Sequence, residues 1–175
     1  MKPNEAEELD PLTRATVTVA WVIFLNKPFY PLYVWYLVGH GITASLATLI
    51  SAPFFFAVVL VAKRSPLASR ILLPAVGTLD TAFETTLFGQ GSGTELFFAA
   101  CIMLVALSFR PQEKFWQYAM TIFVFGVFVA SRTFNGQPWY PWNAGELSTL
   151  LNLNIFAVAS LLAFIALRYA SSARA

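Results

Sequence analysis

The chain has 175 residues, of which 58% are hydrophobic and only 11% are charged. Soluble domains usually carry about 25% charged residues, and a chain of this length has too little interior to hide so much apolar surface from water. The net charge of +2, with no run of lysines and arginines, excludes the electrostatic footprint of a nucleic-acid-binding protein. The composition therefore favours a single domain embedded in a lipid bilayer.

Six apolar segments approach the length of about 20 residues that a helix needs to span a bilayer. In chain order they cover residues 17–38, 42–62, 67–88, 94–109, 115–131 and 147–167. A polar, acidic tail over residues 1–13 precedes them, and it lacks the positive and then apolar pattern of a signal peptide. We therefore predict an all-α fold, namely a polytopic membrane helix bundle of six transmembrane helices in one domain over residues 1–175.

The first segment is the least regular, because Asn26, Lys27, Pro28 and Pro31 interrupt it. Proline is tolerated in a membrane helix at the cost of a kink, whereas a lysine near the bilayer centre is expensive. An alternative is a helix that lies in the interface before Asn26, followed by a short span. That alternative leaves five spans and moves one end of the chain to the opposite side of the membrane.

Five polar breaks separate the six segments from one another. These breaks are residues 39–41, 63–66, 89–93, 110–114 and 132–146. The shorter breaks force consecutive helices to lie antiparallel and adjacent. The last and longest break contains Trp139-Tyr140-Pro141-Trp142, which fits an aromatic belt at the lipid headgroups.

Lysine and arginine are concentrated on one side of the predicted bundle. With six spans, all of the 11 lysines and arginines except Lys27 and Arg132 fall on the side that carries the N-terminus. Positively charged loops stay in the cytoplasm. We therefore predict that both termini are cytoplasmic and that the chain is a multi-pass protein of the bacterial cytoplasmic (inner) membrane.

Asp80 and Glu84 are the first candidates for a ligand- or ion-binding site. They lie four residues apart in the third segment and therefore share a helix face. At a rise of about 1.5 Å per residue, Asp80 falls just past mid-membrane and Glu84 about one turn nearer the outside. Carboxylates at that depth are costly unless they are paired, and they mark a functional site by default. The alternative is that both lie in a wet outer vestibule or act as structural partners.

Lys27 is the natural counter-charge for Asp80, because both fall near the same depth if the first segment spans the membrane. An ion pair between them would offset the cost of removing both charges from water. The alternative is that Lys27 extends along an irregular segment and places its ammonium at the headgroups.

A divalent metal site in the outer half is a further possibility. His40 is the only histidine, and Glu95 and Glu146 fall on the same side of the predicted bundle. Imidazole and carboxylate groups can bind zinc or another divalent cation, but this spacing matches no metal motif. A solvent-exposed loop histidine is therefore the alternative, and the metal site stays unassigned.

The sequence predicts neither an enzyme nor a bound cofactor. It contains no G-x-S-x-G, P-loop or H-E-x-x-H motif. The one cysteine, Cys101, excludes a disulfide within the chain and fits a small buried apolar residue.

Three stretches resemble a known kind of membrane module. They are AKRSPLASR at residues 62–70, LFGQGSGTELFF at 87–98 and LSFRPQEK at 107–114. Together they resemble the six-helix sensor or anchor modules that precede adenylate cyclase, diguanylate cyclase and histidine kinase domains in bacteria. The resemblance covers roughly residues 37–132. It implies a ligand-sensing or dimerising role and carries over no catalytic residues.

Such modules normally continue into a catalytic domain, whereas this sequence ends at Ala175. A stand-alone version and the membrane part of something larger are both open. We expect a non-enzymatic membrane sensor or regulatory module with a polar pocket in the outer leaflet. Its expected partners are the lipid bilayer and either a second copy in a homodimer or a membrane or signalling protein. The alternatives are an accessory subunit of a larger membrane complex and a small transporter coupled to protons or cations.

Overall fold

The protein, described by a computed structural model over residues 9–134 and 136–172, contains helices and no β-strand in those ranges. The all-α prediction is confirmed. The helices are α1 Pro11–Asn26, α2 Phe29–Val38, α3 Ile42–Leu46, α4 Ala52–Ala62, α5 Pro66–Phe88, α6 Phe97–Ser108, α7 Lys114–Phe134 and α8 Ala144–Ser172. A 3₁₀ turn over Ala47–Ser51 joins α3 and α4, and further 3₁₀ turns cover Gln90–Ser92, Thr94–Leu96 and Pro111–Glu113.

Within the described residues, three helical stretches are long and apolar enough to cross a membrane. They are Ile42–Ala62, Pro111–Phe134 and Ala144–Ser171. Their outward side chains are strongly exposed, since Ile122 and Phe156 each keep 73% of their surface accessible. Such large exposed apolar residues are unfavourable in water and cost nothing against lipid tails. These features indicate a membrane protein.

The first segment begins earlier than predicted and is broken in its middle. Asp10 caps α1, because its side chain accepts a hydrogen bond from Thr13 N at 3.3 Å, and Pro11 occupies the first turn. Asp and Pro at these two positions are preferred at helix starts. Of the predicted polar tail, residues 11–13 are therefore helical, and residues 1–8 lie outside the described chain.

The other helix ends lie close to their predicted places. The predicted segment 42–62 coincides with the joined α3 and α4, and 67–88 becomes α5 with one additional residue. The last two helices extend three residues further toward each other than predicted. As a result α7 ends at Phe134 and α8 begins at Ala144.

The long helix α5 is central and packs against α1, α4, α6 and α7. It contains Pro74 and a run of buried threonines. Thr78, Thr81 and Thr85 each donate a hydrogen bond of 2.7–2.8 Å to the carbonyl oxygen four residues before them. These bonds satisfy the hydroxyls locally, which allows polar residues to line an interior helix without water.

An apolar layer fills the middle of the bundle. Its buried members on α1, α4, α5, α6 and α8 are Val19, Ala20, Phe55, Val58, Leu73, Ala100, Leu104 and Ile165. Along α5 this layer lies between Arg70 and Asp80, and along α1 it lies between Thr16 and Lys27. The layer therefore separates two groups of buried polar side chains.

Contacts between loops define the two ends of the bundle. At one end, which we call the glycine end, residues 39–41, 88–94 and 136–142 meet: the Trp142 ring stacks on Phe88 at 5.6 Å. Gly41 has a φ of +69°, and a Cβ added there would lie 2.1 Å from the Trp142 ring, so only glycine fits. At the opposite end, which we call the arginine end, Thr16 Oγ1 lies 2.9 Å from Tyr169 Oη. The start of α1 and the end of α8 therefore lie at the same end.

Candidate functional site

A buried ion triad forms between the break after α1 and the central helix α5. Lys27 Nζ donates to Asp80 Oδ2 at 2.5 Å and to Glu84 Oε1 at 2.7 Å. The three side chains are only 8%, 10% and 13% exposed, respectively. The ion pair between Lys27 and Asp80 predicted from the sequence is present, and Glu84 joins it from the same helix face. We call these three residues the charge triad.

Lys27 is placed by the break in the first segment. Its backbone N–H still bonds to Ile23 O at 3.0 Å, and Pro28 follows it at the turn into α2. Its ammonium lies 5.7 Å from the centre of the Phe55 ring on α4, which adds a cation–π contact. Lys27 is 7% exposed, so its side chain points into the bundle and not toward the headgroups.

The charges of the triad do not balance, because two carboxylates face one ammonium. Asp80 Oδ1 is buried and has no hydrogen-bond partner among the described residues. An uncompensated negative charge in an apolar interior is expensive, and it is removed when a proton or a cation binds. With both carboxylates ionised, the triad would carry one uncompensated negative charge.

Polar side chains continue from the triad toward the glycine end. Asn154 of α8 donates from Nδ2 to Ser92 O at 2.9 Å, and Ser92 Oγ lies 3.1 Å from Thr94 Oγ1. Thr94 in turn bonds to Thr85 of α5 at 3.3 Å. Tyr30 of α2 lies near Asn154 and within electrostatic range of Glu84. We call Tyr30, Thr85, Ser92, Thr94 and Asn154 the polar seam.

Two atoms of the polar seam are unsatisfied. Tyr30 Oη and Asn154 Oδ1 are buried, and neither makes a hydrogen bond of ordinary geometry, although the two residues are neighbours. Sequence reasoning missed both residues. Asn154 gave a usable signal as a polar residue inside an apolar segment, whereas a tyrosine among aromatic residues gave none.

A cavity of about 300 Å³ lies at the glycine end. Its walls come from the turn after α5 and the loop before α8, with Phe88, Gly89, Gln90, Gly91, Gly136, Pro138 and Leu147 as lining residues. Ser92 of the seam follows these glycines directly in the chain. The cavity and the seam therefore lie at the same end of the bundle.

The candidate metal ligands are not brought together. His40 is exposed between two glycines, Glu95 pairs with Arg132 at 2.7 Å, and Glu146 Oε2 accepts from Asn143 N at 2.8 Å. Within residues 9–134 and 136–172, no group of three or more His, Cys, Asp or Glu side chains is close enough to hold a metal ion.

A second polar cluster closes the arginine end. Arg70 of α5 is 2% exposed and donates to Glu113 Oε1 at 2.6 Å and to Ser108 O at 3.4 Å. Tyr169 Oη of α8 lies 2.9 Å from both Thr16 Oγ1 and Ser108 Oγ. We call these five residues the arginine cluster. The cluster joins α1, α5, α6 and α8.

An ion pair between Asp10 and Arg110 extends the arginine cluster to the start of α1, with a distance of 3.1 Å. Partial burial opposes the charge of Asp10, but hydrogen bonds from Thr13 and Arg110 and the nearby Arg70 charge together lower the pKa of its carboxyl. Asp10 is therefore held in the charged form that the ion pair requires.

Comparison with protein-family models, with curated proteins and with solved structures found no match to this chain. Its function is therefore inferred from the charge triad and the residues that surround it.

Proposed function

We propose that this chain is a multi-pass inner-membrane protein whose six helical segments cross the bilayer with the arginine end in the cytoplasm. Two observations support this orientation. The start of α1 and the end of α8 meet at the arginine end, which requires an even number of crossings. Among the described residues, the lysines and arginines other than Lys27 and Arg132 belong to that end, in agreement with the positive-inside rule.

We further propose that the protein is a non-enzymatic sensor or regulatory module. The observation that carries this proposal is the charge triad. It buries two carboxylates and only one ammonium inside a membrane bundle. An imbalance of this kind is costly, and a structural ion pair does not need it. A site that responds to a proton or a cation does need it, because binding then changes the charge of the interior.

The surroundings of the triad favour sensing over transport. A transporter must open its site to both sides in turn. Here the polar seam approaches the triad from the glycine end, whereas the apolar layer with Leu73 and Leu104 separates it from the arginine end. Among the described residues, polar side chains therefore approach the triad from the glycine end, and the cavity that touches Asp80 is otherwise lined almost entirely by apolar side chains. A site with a polar approach from one side is sufficient for a sensor.

The same helices that hold the site also form the arginine cluster. Helix α5 carries Asp80 and Glu84 in one half and Arg70 in the other, and α8 carries both Asn154 and Tyr169. Binding at the triad would change the packing of α1 and α5 and thereby bias the contacts at the cytoplasmic ends. A second copy of the chain or a signalling partner would read that change.

The orientation is tested with a reporter fused after Ala175. We expect a cytoplasm-dependent reporter to be active and a periplasm-dependent reporter to be silent, because the end of α8 lies at the arginine end. A periplasmically active fusion would support the five-span alternative and overturn the orientation.

The sensing role is tested by the melting temperature in mild detergent. A proton or cation that binds the folded site more tightly than the unfolded chain stabilises the fold, so the melting temperature should rise as pH falls from about 8 to about 5 or as cations are added. Glu84→Gln keeps the shape of the side chain and should abolish this response while the protein stays folded.

Glu95→Gln is the matched control, because Glu95 pairs with Arg132 outside the triad, and it should keep the wild-type response. A wild-type protein that is indifferent both to pH in this range and to divalent cations would contradict the sensing role. That result would favour a passive accessory subunit, which should then copurify with stoichiometric partners.

A further inference from the structure

Three polar atoms in and around the charge triad make no hydrogen bond to another described residue. Asp80 Oδ1, Tyr30 Oη and Asn154 Oδ1 are all buried without a partner. Buried polar atoms are almost always satisfied, and of these three atoms those of Tyr30 and Asn154 belong to neighbouring residues. A water between Tyr30 and Asn154 would find both a donor and an acceptor, the minimum that a buried water needs.

The charges that face Glu84 come from three elements. Lys27 at the end of α1 and Asp80 on α5 complete the triad, and Tyr30 of α2 is a further titratable side chain within electrostatic range of Glu84. Helix α4 contributes the Phe55 ring against the ammonium, and α8 contributes the neutral amide of Asn154. Both carboxylates share the one ammonium, so the triad has a net charge of −1 when both carboxylates are ionised.

A proton fits this site better than a metal ion does. A metal cation needs several oxygen ligands around it, and Lys27 already occupies the space between the two carboxylates. A proton needs only one carboxylate oxygen. Glu84 lies one helical turn closer to the glycine end than Asp80 does, and it is the carboxylate whose charge reaches Tyr30.

We infer that the ligand of the charge triad is a single proton, which Glu84 takes up from the glycine end through a water held between Tyr30 and Asn154. This inference rests on the proposed sensing function and names its stimulus as external acidity. The proton adds to a carboxylate oxygen of Glu84, the net charge of the triad goes from one negative charge to zero, and Lys27 stays charged and bonded to Asp80.

The inference is tested by isotope-edited infrared spectroscopy of the full chain in lipid nanodiscs. With labelled glutamate, we expect one protonated carboxyl band to appear as pH falls from about 8 to about 5. An ordinary glutamate takes up its proton only at lower pH. The band should be absent in Glu84→Gln and present in Glu95→Gln. A missing band in the wild type, or a band that survives in Glu84→Gln, would overturn the inference.

The role of the water is tested with Tyr30→Phe. Loss of the hydroxyl removes one of the two groups that would hold the water, and with it the hydrogen bond that the water would donate to the charged carboxylate. Glu84 should then bind its proton about tenfold more tightly and titrate at higher pH. Asn154→Leu should shift the titration in the same direction. Tyr36→Phe is the control, because Tyr36 is on the same helix and is 83% exposed. Equal titration curves for Tyr30→Phe, Tyr36→Phe and the wild type would contradict the proposed path.

The outcomes separate this inference from the proposed function. If the triad did not respond to pH but responded to a cation such as sodium or magnesium, the inference that its ligand is a proton would be overturned. The sensing role would remain supported. A proton on Glu84 without any response at the cytoplasmic ends would support the inference and overturn the sensing role.

Discussion

Replacing Lys27 with methionine should lower the free energy of unfolding by about 3–5 kcal/mol, the cost of breaking a buried ion pair. Lys27→Met leaves Asp80 and Glu84 without the ammonium that now lies 2.5 Å and 2.7 Å from their oxygens. Both carboxylates would then be buried side by side, which desolvation and mutual repulsion oppose. The measurement is reversible unfolding in mixed detergent micelles, followed by the loss of helical circular dichroism.

Two further variants show whether the loss of stability comes from the charge triad. Lys63→Met removes an exposed lysine in the turn after α4 and should change the free energy of unfolding by less than about 0.5 kcal/mol. The triple change Lys27→Met, Asp80→Asn and Glu84→Gln removes every charge of the triad and should recover much of the lost stability. Equal losses for Lys27→Met and Lys63→Met would show that the triad does not hold the bundle together.

Replacing Arg70 with methionine should be the second most damaging change, with a loss of about 2–3 kcal/mol in the free energy of unfolding. Arg70→Met removes the charged hydrogen bond to Glu113 and the bond to the carbonyl of Ser108. We expect a smaller loss than at Lys27, because Glu113 is partly exposed and also accepts from the backbone N–H of Arg110 at 2.8 Å.

Arg64→Met is the control for Arg70, because Arg64 is exposed in the loop just before α5. It should leave the free energy of unfolding within about 0.5 kcal/mol of the wild type. If Arg64→Met were as destabilising as Arg70→Met, the effect would reflect the loss of surface charge and not the buried cluster.

Most of the helical layout could be predicted from the sequence, because lipid requires long apolar segments and the breaks between them are polar. The ends were less predictable where capping decides them. Asp10 and Pro11 begin α1 ahead of the first strongly apolar run, so hydrophobicity alone placed the start too late. The break at Lys27 was visible as a lysine followed by a proline, but the sequence left open whether the ammonium points inward or to the headgroups. In the structure it points inward.

The charged part of the site was predictable in the same way. A lysine and an aspartate at similar depth must compensate each other in an apolar interior, which is how the pair of Lys27 and Asp80 was predicted. Tyr30 and Asn154 carry no charge, and packing between α2 and α8 brings them together from sites 124 positions apart (154 − 30). Sequence patterns do not report such long-range contacts, so the polar seam was missed.

The central claim is that charge uptake at the triad alters the cytoplasmic ends, and the most direct test is a distance measured across the arginine end. Spin labels would be attached at Arg64→Cys and Ser171→Cys, two exposed positions, with the native thiol removed by Cys101→Ala. In lipid nanodiscs, we expect the distance distribution between the labels to change as pH falls from about 8 to about 5, and the Glu84→Gln protein to show no change. Identical distributions throughout this range, or a response that persists in Glu84→Gln, would contradict the account.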